Sequence, residues 1–205
     1  MIAGATLSAG GRTRQVEFAL RAEVSCRSGR TTAASKEMRA FRLQGLGDFA
    51  CVRPKGRPVQ LTGLALEART DASGAGDLRI AGRYVAFTYT TDSDCTLQDL
   101  VLVDVRARRT VWEIGSSDGE FSETSACYSP AGFEQIVLRP SGRVAWTEGA
   151  DSDGRRSVNA LDPVAKAQRR VLDEGADVDA SSLRAVDAAT IGWTRGGVPK
   201  TAPLG

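Results

Sequence analysis

Residues 78–88 read LRIAGRYVAFT, and two later stretches repeat the same pattern: residues 138–147 read LRPSGRVAWT and residues 183–194 read LRAVDAATIGWT. Each stretch opens with Leu-Arg, passes through a turn, and closes on a β-branched residue, a small residue, an aromatic residue and Thr. Similarity that recurs at intervals of tens of residues indicates stacked structural units. The alternating side chains of the closing part are typical of a β-strand. The repeat therefore predicts an array of β-units.

The similarity extends beyond the first hairpin of each unit. An Asp-Ser-Asp tripeptide follows the aromatic residue in two units, at 92–94 and 151–153, and a further aspartate, Asp104 or Asp162, comes later in the same units. Each unit reads as four short antiparallel strands joined by tight turns. We therefore predict an all-β fold, with antiparallel blades in a small β-propeller-like array of about four repeats.

The repeats divide a single predicted domain, residues 1–205, at roughly 26–69, 77–115, 133–173 and 177–205. The first repeat is degenerate: residues 41–43 and 49–52 match the hairpin and place Cys51 in the aromatic position, while residues 33–39 have a short helix as an alternative. The last repeat is cut short. The alternating segment 14–22 is a strand that would close this last blade and remove an exposed edge.

One local pattern conflicts with the repeat. Residues 162–172 resemble a capped helix, with Asp162 at the N-cap, Pro163 at the first position and Gly175 just past the end. Alignment with residues 104–112 predicts strand, turn and strand instead. We follow the repeat, because tertiary context often overrides local propensity.

Composition limits the classes of function. The chain has 205 residues, 41% of them hydrophobic, which is enough to build a sizeable core. The net charge of +2, with arginines dispersed along the chain, gives no reason to expect nucleic acid or a membrane surface as a partner. The absence of histidine excludes Ser-His-Asp and Cys-His catalysis and His-ligated zinc. No run of about 18 apolar residues predicts a membrane span.

The four cysteines, Cys26, Cys51, Cys95 and Cys127, include no pair with the C-x-x-C spacing of a zinc or redox motif. Sequential pairing, Cys26 with Cys51 and Cys95 with Cys127, would keep each disulfide local to one region. An even number of widely spaced cysteines indicates an oxidising compartment and a secreted or extracytoplasmic protein. The alternative is four buried thiols, and the sequence MIAGATLSAGG at residues 1–11 does not read as a signal peptide.

The two Asp-Ser-Asp loops supply the candidate metal ligands Asp92, Asp94, Asp151 and Asp153. Closely spaced carboxylates can begin a calcium site, which needs six or more oxygen ligands. The complete calcium-loop pattern is missing, however, and aspartate also favours turns because its side chain binds backbone N–H groups. Turn formation is therefore the favoured interpretation and calcium the alternative.

Other polar and aromatic residues are expected to serve the fold. Asp104 and Asp162 follow strands and precede turns, which predicts that they cap those turns. Trp112, Trp146 and Trp193 are expected to pack between blades rather than to line a ligand site. No catalytic residue is assigned.

The chain resembles a known family through three short motifs: Gly82-Arg83-Tyr84-Val85-Ala86-Phe87, Gly142-Arg143-Val144-Ala145-Trp146 and Leu102-Val103-Asp104. These are similar to secreted β-propeller repeat proteins of the TolB/WD40-like type from high-GC bacteria, over about residues 41–204. The Gly-His and Trp-Asp dipeptides of WD40 blades are missing. The resemblance implies a propeller-like scaffold and a binding role, and it transfers no site residues.

These observations favour a non-enzymatic extracytoplasmic binding or structural module, with a protein or glycan partner and without nucleic acid. Two alternatives stay open. One is a carboxylate-based enzyme acting on glycans, which needs two acids facing one cleft. The other is a self-assembling subunit that completes a larger propeller as a dimer.

Overall fold

The computed structural model describes residues 24–53, 56–61, 75–92, 96–115 and 132–204. The described residues form fifteen β-strands: β1 (Arg30–Ala34), β2 (Met38–Leu43), β3 (Gly47–Val52), β4 (Val59–Gln60), β5 (Gly76–Ala81), β6 (Tyr84–Asp92), β7 (Thr96–Asp104), β8 (Arg109–Gly115), β9 (Phe133–Leu138), β10 (Val144–Glu148), β11 (Arg156–Leu161), β12 (Arg170–Gly175), β13 (Val178–Ala185), β14 (Thr190–Arg195) and β15 (Val198–Pro203).

The strands form four antiparallel sheets in chain order. The first three sheets contain β1–β4, β5–β8 and β9–β12, and the fourth contains β13–β15. Within each sheet every strand pairs with its neighbours in sequence, so each sheet is an up-and-down meander. The predicted all-β, propeller-like array of antiparallel blades is confirmed.

Neighbouring sheets pack face to face through apolar side chains, and the aromatic residue of each repeat faces the preceding sheet. Phe87 packs against Met38 of the first sheet. Trp146 packs with Tyr84 of the second sheet, and Trp193 packs against Val158 of the third. The small residue before the aromatic faces the opposite way, and Ala145 packs with residues of the fourth sheet.

The first sheet corrects the alignment of the first repeat. Phe41, and not Cys51, holds the aromatic position, because Phe41 follows Ala40 on the second strand and lies on the face opposite the second sheet. The alignment was wrong by one strand because β1 reads RTTAA and carries no large apolar residue that would mark a strand. The short helix considered for residues 33–39 is also wrong, since β1 ends at Ala34 and β2 begins at Met38.

Residues 162–172 form a turn followed by a strand, as the repeat predicts. The N–H of Ala167 donates to the carbonyl of Asp162 at 3.0 Å, which closes one turn. Lys166 then adopts a left-handed φ of 54° and directs the chain into β12. The capping signals are therefore real, but they specify a turn rather than a helix.

All four sheets have the same orientation, with their first turns at the same end. The first turn of the second sheet meets that of the third where Gly82 approaches Pro140, and the Arg139 guanidinium donates to the carbonyl of Thr190 in the first turn of the fourth. The first and second sheets meet at the opposite end, where the N–H of Ala75 donates to Asp48. We call the end with turns between first and second and between third and fourth strands the lower end, and the opposite end the upper end.

A short segment covers the outer face of the first sheet. Val24 and Cys26 pack on the stacked rings of Phe41 and Phe49, whose centroids are 5.6 Å apart. The Arg39 guanidinium lies over the Phe41 ring and donates to the carbonyl oxygens of Cys26, Ser28 and Gly29 at 2.7 to 2.9 Å. We call residues 24–29 the strap.

Some predicted features lie outside the described residues. These are the strand at 14–22, residues Asp94, Cys95 and Cys127, and the greater part of the linker after β8. No helix in the described ranges is both long and apolar enough to cross a membrane.

Candidate functional site

An arginine–aspartate pair recurs at the lower end of the second and third sheets. Arg83 Nε lies 3.0 Å from Asp104 Oδ2, and Arg143 Nε lies 2.8 Å from Asp162 Oδ2. Asp104 is the last residue of β7 and Asp162 directly follows β11, the third strands of their sheets, and each arginine directly precedes the adjacent second strand. The Arg143 guanidinium lowers the pKa of the Asp162 carboxyl, and the backbone N–H of Ala165 lowers it further despite partial burial.

The same two aspartates cap the turns that follow them. Asp104 Oδ1 accepts the N–H of Ala107 at 2.9 Å, and Asp162 Oδ1 accepts the N–H of Ala165 at 3.0 Å. Four residues after each aspartate the chain is left-handed, with φ of 56° at Arg108 and 54° at Lys166. The predicted turn-capping role of both aspartates is confirmed.

The described Asp-Ser-Asp loop, residues 151–153, is a turn at the upper end. Asp151 Oδ1 accepts the N–H groups of Asp153 and Arg155, both at 2.9 Å. This geometry agrees with the turn interpretation for Asp151. Within the part of the chain that the structure describes, no group of three or more acidic or cysteine side chains is arranged to hold a metal ion. Asp94 lies outside that part, so calcium binding by the pair of loops stays a prediction.

The sulfur atoms of Cys26 and Cys51 lie 2.07 Å apart, at disulfide distance. The bond links the strap to β3 and closes over the pair Phe41 and Phe49. The first of the two predicted sequential pairings is therefore confirmed, while Cys95 and Cys127 lie outside the described residues.

A tyrosine at the upper end of the second sheet meets two carboxylates. The buried Tyr89 hydroxyl donates to Glu113 Oε1 at 2.7 Å and also interacts with Asp99 on the adjacent strand. Burial raises the pKa of Tyr89 well above its ordinary value of 10.0, and the hydrogen bonds to Glu113 and Asp99 raise it further. The phenol therefore keeps its proton at neutral pH and acts as a hydrogen-bond donor.

Two buried tryptophans each donate to a carboxylate at the upper part of an interface between sheets. Trp146 Nε1 donates to the Glu148 carboxylate, which also accepts a hydrogen bond from the Arg169 guanidinium. The same guanidinium lies 5.6 Å from the centre of the Trp146 ring. Trp193 Nε1 donates to Asp173 of the preceding sheet at 2.7 Å. The predicted packing role of both tryptophans is confirmed, since both are buried.

Trp112 differs from the other two tryptophans because it is only partly buried. Its ring lies 5.2 Å from that of Trp146, at the outer edge of the interface between the second and third sheets. It is therefore an extension of the same aromatic contact.

Sequence reasoning missed the arginine partners and the group around Tyr89. The sequence did contain a signal for the arginine partners. In the second and third repeats, an arginine precedes the second strand and an aspartate lies at the end of the third strand. No sequence signal marked Asp99 and Glu113, which come together only because β7 lies between β6 and β8.

Comparison with known proteins identifies no family. No protein-family model matches the chain, and no curated protein matches it. Among solved structures, the β-propeller domain of the Trilobed protease from Pyrococcus furiosus, described as having an open velcro topology, is similar at a TM-score of 0.45 and 14% sequence identity. The similarity covers 61% of this chain, which spans about a third (34%) of the length of that one.

Proposed function

We propose that this protein is a non-enzymatic binding or structural module of an extracytoplasmic compartment, built on a propeller-like scaffold of the secreted bacterial type. The observation that carries the proposal is the strap. A disulfide distance between Cys26 and Cys51, together with three carbonyl contacts from Arg39, fastens the strap over the first sheet. Disulfides persist in oxidising compartments.

The use of the recurrent charged residues supports a binding scaffold over a catalyst. Asp104 and Asp162 each bind an arginine and cap a turn, and Asp151 holds the N–H groups of its own loop. These acids therefore stabilise the sheets and their turns. Connecting turns carried by a rigid set of strands are the parts of such a fold that are free to bind partners.

The compartment is tested by the intact mass of the purified protein after thiol alkylation, with and without prior reduction. We expect no alkylation before reduction and four alkylated thiols after it. Four alkylated thiols without reduction would contradict the extracytoplasmic assignment. Sedimentation velocity on the same sample tests the alternative of a subunit that completes a larger propeller, which predicts a dimer rather than a monomer.

A glycan-active enzyme is the second candidate, and one observation favours it. Asp99 and Glu113 converge on the Tyr89 hydroxyl near the upper end. Affinity electrophoresis through neutral and charged polysaccharides, run beside a reducing-sugar assay, separates the two functions. Retardation without release of reducing ends supports a binding module. Release that Glu113→Gln abolishes would establish the enzyme.

A further inference from the structure

The nearly balanced net charge conceals a separation of charge between the two ends of the array. The described residues of the lower end include twelve basic and four acidic side chains. They lie in and beside the lower turns, at 35–37, 53, 56–58, 82–83, 104–109, 139–143, 162–170 and 186–189. Acidic residues prevail at the upper end, where Glu113, Glu134, Asp151, Asp153 and Asp179 are exposed.

Two of the four acids of the lower end are in ion pairs with arginines of their own sheet. Asp104 is 2% exposed and bound by Arg83, and Asp162 is bound by Arg143. Asp187 accepts the N–H groups of Ala189 and Thr190, which lower the pKa of its carboxyl. Glu37 and Asp187 are exposed, and the twelve bases still outnumber the four acids at this surface.

Most of the bases of the lower end are exposed, and several lie in the turns between third and fourth strands of three neighbouring sheets. We call six of them the basic rim: Arg53, Arg106, Arg108, Arg109, Lys166 and Arg170. None of the six is in an ion pair with another described residue. The left-handed φ at Arg108 and Lys166 belongs to the same turn in two sheets, so those two bases hold equivalent positions.

We propose that the basic rim is a docking surface for an anionic polysaccharide, a glycan chain that carries carboxylate or sulfate groups. The inference deepens the proposed binding function and rests on it. Bases repeated from sheet to sheet match an extended chain with repeated charges, and guanidinium groups bind carboxylates and sulfates through paired N–H donors.

The rim differs from surfaces that bind single-stranded nucleic acid, because its turns carry no aromatic side chain on which a base could stack. Anionic glycans are common polyanions in the extracytoplasmic compartment proposed above, with which the disulfide distance between Cys26 and Cys51 agrees. A second copy of this chain, docked through its acidic upper end, is the competing occupant on grounds of charge.

The test compares two variants that each remove four positive charges. The rim variant carries Arg106→Ser, Arg109→Ser, Lys166→Asn and Arg170→Ser. The control variant carries Arg27→Ser, Arg30→Ser, Arg156→Ser and Lys200→Ser, which lie outside the lower end. Binding to polygalacturonate is measured by isothermal titration at several salt concentrations. Neutral dextran, heparin, a DNA duplex, phosphatidylglycerol vesicles and self-association by sedimentation are compared at 50 mM salt.

We expect the native protein to bind polygalacturonate and heparin. The rim variant should bind polygalacturonate at least about 30-fold more weakly at low salt, and the control less than about 3-fold more weakly. The slope of log K against log salt should fall by about three for the rim variant, since each charge contact with a flexible polyanion contributes about 0.7. Unchanged circular dichroism and melting temperature would show that the variant is folded.

Several results would overturn the proposal. These are equal losses in both variants, binding confined to DNA or to vesicles, or self-association that the rim variant abolishes. A protein that binds dextran but neither charged polysaccharide would refute the basic rim and leave the proposed binding function standing. A protein that binds no polysaccharide would refute the rim, and the compartment test would then decide what survives of the proposed function.

Discussion

Asp104 and Asp162 each have two structural roles. One carboxylate oxygen binds an arginine from the start of the neighbouring strand, and the other caps the turn that leaves the sheet. The double use fixes the relative position of the second strand, the third strand and the lower turn. It also explains why an aspartate lies at the end of the third strand in both repeats.

Substitutions at Asp104 distinguish the ion pair with Arg83 from the hydrogen bond that caps the turn. Asp104→Asn keeps an acceptor for the Ala107 N–H, whereas Asp104→Ala removes both that acceptor and the buried partner of Arg83. We expect the alanine variant to lower the free energy of unfolding by about 2 kcal/mol and the asparagine variant by about half as much. Urea denaturation followed by tryptophan fluorescence measures both. Equal losses in the two variants would contradict the capping role.

The pH dependence of stability should report the Arg143–Asp162 contact. Arg143 and the Ala165 N–H hold the pKa of the folded Asp162 carboxyl below its ordinary value of 3.8. The folded state therefore prefers the ionised carboxylate, and the resulting stability is present above about pH 4 and is lost as the pH falls through the lower, folded value.

Urea denaturation between pH 5 and pH 2.5 measures this contribution. We expect a shallower fall in the free energy of unfolding for Asp162→Asn, which cannot titrate, than for the native protein. Asp153→Asn, in an exposed loop, serves as the matched control and should keep the native slope. An unchanged slope in Asp162→Asn would show that the contact does not contribute.

At this scale the sequence predicted the caps but not the arginines. An aspartate between a strand and a turn is a local signal, so Asp104 and Asp162 could be assigned from their neighbours. Arg83 and Asp104 are 21 positions apart in the sequence, and only the pairing of β6 with β7 brings them together.

Among the elements, the first turn of the third sheet packs closely against the second sheet at Gly142. Gly142 has a left-handed φ of 90°, and a methyl group there would lie 2.7 Å from Val164 Cγ2 and 3.0 Å from the Tyr84 ring. Gly154, in the upper turn of the same sheet, has a φ of 75° but no neighbour within 4 Å of such a methyl group. The two glycines therefore separate backbone strain from packing.

Alanine at these two positions should have unequal effects. Gly142→Ala combines strain with overpacking against the second sheet, and we expect it to destabilise the protein by about 3 kcal/mol. Gly154→Ala carries the strain alone and should cost about 1 kcal/mol. Thermal unfolding of both variants measures the difference. Similar costs would mean that Tyr84 and Val164 yield to the added methyl group.

The sequence was a good guide to elements whose side chains alternate and a poor one elsewhere. The strands β6, β10 and β14 were predicted because each carries the small, aromatic and Thr pattern. The first sheet was misaligned by one strand because its polar β1 lacks that signal, and Cys51 on β3 was given the aromatic position that Phe41 holds on β2. At Asp162 the capping pattern was correct, and only the strand pairing of β12 decided between a helix and a turn.

For the whole molecule, the separation of charge is the property that the sequence concealed most fully. Arginines appeared dispersed because those of the lower end lie in separate turns, and successive turns of the chain alternate between the two ends of the sheets. Once all sheets point the same way, every second turn joins the same surface. A linear count of +2 therefore contains no information about the basic rim.

The outer sides of the first and fourth sheets differ. The outer face of the first sheet is covered by the strap. The fourth sheet ends in the exposed strand β15, in which Pro199 and Pro203 lack the N–H groups that a further strand would need. Prolines on an edge strand restrict pairing with other chains. The strap thus covers apolar side chains on the outer face of the first sheet.

Removal of the Cys26–Cys51 bond should therefore weaken the first sheet. The bond closes a loop with a sequence separation of 25 residues, for which chain entropy gives about 3 kcal/mol. We expect Cys26→Ser combined with Cys51→Ser to lower the free energy of unfolding by about that amount, measured by urea denaturation without reductant. Arg39→Lys, which loses the fork that holds the carbonyl groups of the strap, should lower it less.

Reductant provides the control, because it acts on the Cys26–Cys51 bond, which the double serine variant lacks. If the strap bond dominates, reductant should bring the native protein close to the stability of that variant and leave the variant nearly unchanged. A large further loss in the variant would assign the effect to Cys95 and Cys127 instead. No loss in either protein would mean that Arg39 and the apolar contacts of Val24 hold the strap without the disulfide.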